Sequence, residues 1–479
     1  MSPVVSGIVF VYMLIMLFIG WWSSKRIKTN EDFMVAGRRL GPILMAGTLA
    51  ATEIGGGSSL GVVEKGFGEW GLGAHWYVST MGIAFIILAF LAPKFRNAKV
   101  KTVPEYFRRR YGKSTGLITS IVMILPLIGL TASQFIASAI IVKVMLGIDY
   151  RIAVTIVAFV VTAYSIMGGL WSVTITDFVQ VFLIVIGMGI AIPFSLNLAG
   201  GFDAVVANVP ADTFNMFKGI GVGSIVSLVV MYVASFAVGQ EAVSRYYAAR
   251  DAKAAVQGSI ISAGINFGYA FIPTMLGIIT LALINMNKIS SDILSEGARY
   301  ALPHLALNTM PVVIVGLLFA GIISATMSSA DSDLLGAGSI FGNDIYKVYI
   351  NPNANNKQIM NVTRFSMLIV GIFALAIAFF NTGSIIRILM LSFTLRAAGA
   401  FFPYVFGHYW KKASKAGAIA SLLTGSLLVL YLEQTKLKLF GFDPIIPGLL
   451  LSLAAFIAFT YLFPNKNDTT ELEIEEEVA

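Results

Sequence analysis

The side chain with the most conspicuous chemistry is Glu53, a lone carboxyl group in an otherwise uncharged stretch at residues 43–63. A charge at the centre of a bilayer costs roughly 2.5–3.5 kcal/mol, so an acid there faces a cavity, a partner or a ligand. Glycines at 55–57 follow, and they expose backbone groups that a bound ion or solute can satisfy. This pattern predicts a helix that is broken in mid-membrane at a binding site. The alternative is a glycine-rich packing face beside a protonated Glu53.

A second cluster of oxygen-bearing side chains lies in residues 325–333, which read ATMSSADSD. On a helix, Ala325, Ser328 and Ser332 share one face, because they are three or four residues apart. Ser329 stands beside this face. Hydroxyls together with carbonyls freed at a helix break suit a monovalent cation, whereas dedicated calcium sites use more carboxylates. The alternative is that each serine bonds back to the preceding turn of its helix.

Three further acids lie in or next to apolar stretches. Asp331 belongs to the hydroxyl-rich cluster, and Glu241 follows Gly239 and Gln240, which interrupt another apolar stretch. Asp177 begins a third stretch, where it is either a cation ligand or an ordinary helix N-cap. Because acids inside membrane segments are rare and costly, their presence indicates a functional site.

Composition sets the class of protein that must position these groups. The 479 residues are 57% hydrophobic and 12% charged with a mean hydropathy of +0.82, which excludes a soluble globular protein and predicts a polytopic membrane protein. Cysteine is absent and there are three histidines, so a thiolate metal site, a disulfide framework and a catalytic thiol are excluded. With no histidine–nucleophile pair inside the apolar stretches, we expect no enzyme activity.

Counting stretches of about 20 apolar residues predicts about thirteen transmembrane helices and an all-α multi-pass fold. They lie near residues 4–23, 43–63, 71–93, 116–146, 151–169, 177–199, 220–244, 257–284, 309–343, 361–380, 384–408, 415–433 and 445–463. The polar connections are too short for a soluble domain, so residues 1–464 form one transmembrane domain and residues 465–479 an acidic tail. The two interrupted spans are five spans apart, as in transporters built from inverted repeats.

Basic residues set the expected orientation. Lys25, Arg26 and Lys28 follow the first span, and further clusters follow the third, seventh, ninth and eleventh spans. By the positive-inside rule these clusters are cytoplasmic, which places the N-terminus outside and the C-terminus inside the plasma membrane. The net charge of +8 then reflects topology and anionic lipid, so no nucleic-acid partner is expected. The oligomeric state is left open.

Three strings carry a resemblance to a known family: GTLAATEIGGGSSLG, GGLWSVTITDFVQVF and SATMSSADSDLLGAGSIFGNDIYK. They resemble the sodium:solute symporter family (solute carrier 5-like), and their spacing is most similar to its high-affinity choline transporter branch. The resemblance implies the leucine-transporter-type fold, with inverted five-helix repeats at about residues 43–199 and 220–408, and Na⁺ as the coupling ion. It also implies a sodium site and a possible second cation site. The sodium ligands would be the carbonyls of Ala51, Ile54 and Ala325 and the hydroxyls of Ser328 and Ser329, and the second site would comprise Asp177, Asp331 and Ser332.

The family carries many classes of solute, so the solute is inferred from the side chains expected at the cavity. These candidate substrate-binding residues are Glu53, Gly56, Ser58, Trp76, Tyr77, Gln134, Gln240 and Glu241. Two acids at the helix breaks favour a cationic amine or an amino-acid-like compound, with an aromatic ring available for cation–π contact. The alternative is that Arg245 or Arg396 pairs one acid. A carboxylate or a vitamin such as pantothenate, and proton-coupled transport, stay open.

The expected mechanism is sodium-coupled symport by alternating access, and it has two rivals. A channel would need a continuous polar lining, whereas the acids here gather near two breaks. A membrane sensor would need a signalling module, and nothing after Pro464 resembles one.

Overall fold

Helices make up nearly all the regular structure of this computed structural model, which describes residues 3–25, 29–217, 219–290, 297–380 and 384–465. Two members of the first basic cluster, Arg26 and Lys28, lie outside the described residues. So does nearly all of the predicted acidic tail, since the description ends at residue 465.

The helices are numbered here in chain order. The first nine are α1 (Pro3–Ser24), α2 (Asn30–Val35), α3 (Pro42–Glu53), α4 (Val62–Phe67), α5 (Trp76–Asn97), α6 (Val103–Tyr111), α7 (Lys113–Leu146), α8 (Tyr150–Ala199) and α9 (Phe202–Ala207). The others are α10 (Val222–Val238), α11 (Gln240–Ala248), α12 (Ala252–Asn285), α13 (Ala301–Thr309), α14 (Val312–Ile340), α15 (Asn356–Phe380), α16 (Ile385–Gly407), α17 (Lys415–Thr435) and α18 (Ile445–Leu462). Two π-helical segments, Gly57–Gly61 and Phe341–Ile350, precede α4 and follow α14.

Each of the thirteen predicted spans coincides with a helix or a broken helix of the described chain. Ten helices are long and apolar enough to cross a membrane, and the bent pair α10–α11 is an eleventh. The 50-residue helix α8 covers two predicted spans, because it is interrupted at Gly169 (φ 54°, ψ −171°). Broken α3–α4 supplies the remaining one. The all-α multi-pass prediction is therefore confirmed.

The interruption at Gly169 has a steric reason. A Cβ atom at this position would lie 2.6 Å from the Phe33 ring of α2, and the positive φ also favours glycine. The short helix α2 is itself fixed by a capping box, in which Asp32 donates its backbone N–H to the Thr29 hydroxyl at 3.0 Å and accepts the Thr29 N–H at 3.1 Å. Helix α2 is thus packed against the bend of α8.

The first predicted helix break lies where the sequence indicates. Helix α3 ends at Glu53, and Ile54 has non-helical backbone angles (φ −82°, ψ 76°). The chain resumes as a π-helical turn, and the freed N–H of Gly56 donates to Gln134 Oε1 on α7 at 2.8 Å. A polar side chain of a neighbouring helix therefore satisfies part of the broken backbone, as membrane burial requires.

The second break separates α10 from α11, whose axes differ by 56°. Gly239 between them has φ −67° and ψ 117°, which is extended rather than helical. A Cβ atom here would meet Arg396 Nη2 at 2.5 Å and Glu241 Oε1 at 2.6 Å. Glycine is needed because two charged groups pack directly on this backbone.

Basic segments that are distant in sequence meet in the fold. Arg38 donates to the carbonyls of Tyr247 and Lys99 at 3.2 and 2.9 Å, and Arg96 donates to the carbonyl of Ala249. Arg110 of α6 binds the chain just after α16, including the Lys411 carbonyl at 2.7 Å. These basic segments therefore lie next to one another in the described chain.

Candidate functional site

The oxygen groups expected to bind sodium meet where broken α3 crosses α14. The Ser328 hydroxyl donates to the Ala51 carbonyl at 2.8 Å, and the Ser329 hydroxyl donates to the Ala325 carbonyl at 3.3 Å. All four residues are at most 3% exposed. Ile54, the fifth member, has the non-helical backbone that turns a carbonyl away from the helix ladder. Ala51, Ala325, Ser328 and Ser329 thus form a set of uncharged oxygens that spans two helices, and its use as a sodium site stays a prediction.

The contact between these helices depends on Gly55. A Cβ atom at Gly55 would lie 2.5 Å from Ser329 Oγ, so only glycine allows the break to approach α14 this closely. Hydroxyl and carbonyl oxygens without fixed charge suit a monovalent cation that must also dissociate. In the described structure the two serine hydroxyls bond to carbonyls of the same set, so an ion entering here would replace hydrogen bonds that already join the groups.

A small cavity lies beside this set, between the two helix breaks. Its volume of about 20 Å³ exceeds the ~10–15 Å³ that one water occupies, and it is too small for an organic solute. It is lined by Thr52, Glu53, Gly55, Gly57, Ser58, Tyr77, Met81, Leu130, Gln134, Glu241, Ser329, Asp333, Leu389 and Phe393. The conformation described here is therefore closed around the position where a solute would sit.

One of the three acids in the cavity wall is neutralised. Arg396 of α16 donates to Glu241 Oε2 through Nη1 at 2.7 Å and to Oε1 through Nη2, so the pair is bidentate. Its Nε donates to the Ser235 hydroxyl at 2.7 Å. Both charged side chains are almost fully buried. This is the alternative that the sequence left open, in which a base pairs one acid.

The other two acids, Glu53 and Asp333, form no ion pair among the described residues. Glu53 is 7% exposed, and its Oε1 has no hydrogen-bond partner among the described residues. Asp333 is 3% exposed, and the described residues give it no ion pair. The nearest guanidinium groups, Arg396 and Arg245, bind other carboxylates. The cavity wall is therefore left with acidic groups that lack a fixed counter-charge.

Asp177 also has an ionic partner. Arg245 Nη2 lies 3.2 Å from Asp177 Oδ2 and 2.6 Å from Ser332 Oγ, and the Thr48 hydroxyl donates to the same Asp177 oxygen at 2.5 Å. An ordinary exposed N-cap is thus the wrong interpretation, since Asp177 is fully buried within α8. Asp331 does not join this network. It accepts a hydrogen bond from Ser165, and its second oxygen has no partner among the described residues.

The structure brings together most, but not all, of the expected solute-binding side chains. Ser58, Tyr77 and Gln134 line the cavity with Glu53 and Glu241, and Gly56 fixes the break through Gln134. Ser58 donates to the Glu53 carbonyl at 2.6 Å, and the Tyr77 hydroxyl has no partner among the described groups.

Two expected residues lie elsewhere. Gln240 binds the chain between α5 and α6, where it donates to the Lys101 carbonyl at 3.1 Å and accepts the Val103 N–H at 2.9 Å. Trp76 packs against His75 and Phe217, with ring centroids 4.7 and 5.9 Å away. Neither side chain lines the cavity in this conformation, and a solute-binding role for either one stays a prediction.

Asp333 is the residue that the sequence did not single out. It lies four residues after Ser329 and therefore on the same face of α14, so helical spacing alone would have placed it beside the cavity. The sequence suggested Arg396 only as one of two possible partners for an acid. Nothing in its local sequence shows that it reaches Glu241, which is 155 residues away.

The chain is similar to known proteins over most of its length. A family model described as the sodium:solute symporter family matches residues 33–425. The high-affinity proline transporter PutP of Bacillus subtilis (strain 168) is 28% identical over 453 residues, covering 91% of this chain and 94% of that protein. Sodium/proline symporter 2 of Staphylococcus saprophyticus is 28% identical over 469 residues, covering 93% and 90%.

Solved structures show the same fold. The substrate-bound outward-open state of a Na⁺-coupled sialic acid symporter superposes with a TM-score of 0.82 at 21% identity, covering 98% of this chain and all of that one. MHP1, a nucleobase-cation-symport-1 family transporter, gives a TM-score of 0.58 at 13% identity, covering 94% and 99%. At these identities the likeness concerns the arrangement of helices.

Proposed function

Since the chain belongs to the sodium:solute symporter family and is a sodium-coupled symporter of a small solute, we propose that its solute is an amino acid or small amine whose ammonium group binds between Glu53 and Asp333. One observation carries this proposal: the cavity wall holds two carboxyl groups without a fixed counter-charge beside a third that Arg396 neutralises. A buried charge without a partner is costly, so a cationic group of the solute supplies what the protein omits.

The proline transporters among the relatives sharpen the class of solute. Proline carries a secondary ammonium and a carboxylate, whereas a choline-like quaternary ammonium has no N–H to donate to an acid. Glu53 and Asp333 can each accept such an N–H. We therefore propose an amino acid first and a simple amine second. A dicarboxylate or a pantothenate-like anion fits poorly, because it would add negative charge to an already acidic cavity.

The sodium ion is assigned to the oxygens of Ala51, Ile54, Ala325, Ser328 and Ser329. Sodium there would join broken α3 to α14 and stabilise the arrangement in which Glu53 and Asp333 face the solute. By linkage, the solute must then tighten sodium binding by the same factor. Opening of the transporter toward the cytoplasm would separate α3 from α14. Sodium would then lose some of its ligands, and both sodium and the solute would be released.

The orientation and membrane follow from charge. The basic segments around Arg38, Arg96 and Arg110 lie next to one another. The positive-inside rule assigns them to the cytoplasmic side of the plasma membrane. With thirteen spans the N-terminus is then outside. An inward-negative potential of 100 mV would contribute about 2.3 kcal/mol per sodium ion that enters.

Uptake into proteoliposomes tests the proposal. Purified protein is reconstituted, and radiolabelled proline, a primary amine and a dicarboxylate are offered with an inward sodium gradient or with potassium in its place. We expect sodium-driven accumulation of an ammonium-bearing solute and its loss in Asp333→Asn. The exposed acid Asp203 provides the matched control, since Asp203→Asn should transport normally. Accumulation of the dicarboxylate alone would contradict the assignment of the solute.

A further inference from the structure

The guanidinium group of Arg245 occupies a position that the sequence had assigned to a second cation. Arg245 lies on α11, next to the second helix break, and is 1% exposed. Its nitrogens reach three other helices: Thr48 of α3 at 3.3 Å, Asp177 of α8 at 3.2 Å and Ser332 of α14 at 2.6 Å. Two further contacts lie within α11, to the Glu241 carbonyl at 2.6 Å and to the Ser244 hydroxyl at 3.2 Å.

These partners are the kinds of oxygen that an alkali cation would use. One carboxylate, three hydroxyls and one carbonyl surround the group, and two of the residues, Asp177 and Ser332, belong to the expected second cation site. Each of these groups accepts an N–H of Arg245 at hydrogen-bond distance through one oxygen, and Asp177 Oδ1 has no partner among the described residues. A sodium ion at the same place would have to displace the guanidinium group of Arg245, which is buried, so the ion could not expel it into water.

We propose that Arg245 is a tethered cation that permanently fills this second site, so that the transporter moves one sodium ion with each solute. The inference rests on the proposed sodium site at Ser328 and Ser329, because the count of one assumes that site. The positive charge stays with α11 through the cycle and is not transported. It also ties α3, α8 and α14 to α11.

The arrangement explains why Arg245 and Arg396 cannot substitute for each other. Arg396 neutralises Glu241 at the cavity wall, whereas Arg245 neutralises Asp177 behind it. Removing Arg245 would leave a buried carboxylate with hydroxyl neighbours and no counter-charge. Such a site should then recruit a cation from solution, and sodium is the abundant one.

The first measurement uses the unaltered protein. Radioactive sodium and radiolabelled solute are taken up together into proteoliposomes, and the ratio of the two initial rates is recorded. We expect about one sodium per solute and a Hill coefficient for sodium of about one, since the coefficient is bounded by the number of sites. Two sodium ions per solute would overturn the inference while leaving sodium coupling intact. Transport indifferent to sodium would instead refute the proposed function itself.

Variants then locate the effect. Arg245→Gln should raise the sodium-to-solute ratio toward about two, or require several-fold more sodium for the same rate, because an added site must fill first. Arg245→Lys keeps the charge and should retain the ratio of one. If Arg245→Gln does not fold, the double variant Asp177→Asn/Arg245→Gln, which removes both charges, replaces it and should also retain a ratio of one. A folded Arg245→Gln with the unaltered ratio and sodium dependence would overturn the proposal.

Discussion

The two helix breaks differ in how their acids are treated. At the first break Glu53 faces the cavity with an unpartnered oxygen, and the adjoining backbone meets the serines of α14. At the second break Glu241 is held by both guanidinium nitrogens of Arg396, and Gly239 makes room for the pair. Two interruptions that look alike in sequence therefore differ in tertiary pairing. We infer that the first leaves groups available for sodium and solute, whereas the second fixes the helix geometry around them.

The largest expected effect concerns the first break. Combined Ser328→Ala and Ser329→Ala should reduce sodium-stimulated uptake to background, because both hydroxyl ligands are lost while the carbonyls remain. Uptake into proteoliposomes with and without a sodium gradient measures this. Ser339→Ala, about three turns further along α14, is the matched control and should leave sodium dependence unchanged. Sodium stimulation that survives in the double variant would remove the basis for the sodium site.

The second prediction concerns the fixed break. Glu241→Gln should destabilise the protein by about 3–5 kcal/mol, because it leaves Arg396 buried without its carboxylate. Thermal unfolding in detergent would show the loss. In the double variant Glu241→Gln/Arg396→Gln both charges are gone, and most of the stability should return. If Glu241→Gln unfolds like the unaltered protein and fails only in solute binding, the two breaks are more alike than we infer.

The third prediction reverses the pattern at Glu53. Glu53→Gln should keep thermal stability within the range of the unaltered protein but weaken binding of an ammonium-bearing solute about tenfold, equivalent to ~1.4 kcal/mol. Binding is followed by solute-dependent thermal shift or by equilibrium dialysis. A neutral analogue without the ammonium group serves as the control ligand. Equal loss of affinity for both ligands would argue against a contact with the ammonium group.

The smallest effect provides a reference acid away from both breaks. Glu105 lies in the first turn of the short helix α6. Burial raises the pKa of its carboxyl group, but the charge of Arg109 and the hydrogen bond from the Lys101 N–H lower it by more. The pKa of Glu105 therefore lies below its ordinary value. The stability it contributes is therefore present above its unfolded pKa of about 4.3 and is lost as the pH falls through the lower folded value. Between these two pKa values, the midpoint temperature of thermal unfolding should fall more steeply with decreasing pH in the unaltered protein than in Glu105→Gln. Identical pH profiles would show that Glu105 contributes nothing.

Much of this fold was predictable because membrane burial leaves few solutions. Apolar length predicted the membrane-spanning helices, and the glycines beside Glu53 and Glu241 located both breaks. The serines of α14 were visible because hydroxyls, acids and helical spacing coincide in one short segment. These signals come from residues that are close in sequence, so they can be read without knowing the tertiary structure.

The remaining features depend on contacts between distant segments. Arg396 and Glu241 are 155 residues apart, and Arg245 and Asp177 are 68 apart. Neither local sequence distinguishes a paired acid from a free one. Gln240 was misplaced for the same reason, since its amide is held by the chain before α6, 137 residues earlier. Which acids keep an unpaired carboxyl group therefore depends on contacts between segments that are distant in sequence.

The tight seat of Gly57 has a practical consequence. A methyl group at this position would clash with Leu389 Cδ1 of α16, so Gly57→Ala would force the Leu389 side chain or its helix to shift. Such a substitution should hold the neighbouring helices apart and enrich open forms of the transporter. It offers a way to trap a state suited to imaging or to raising conformation-specific antibodies, without altering any group assigned to ion or solute.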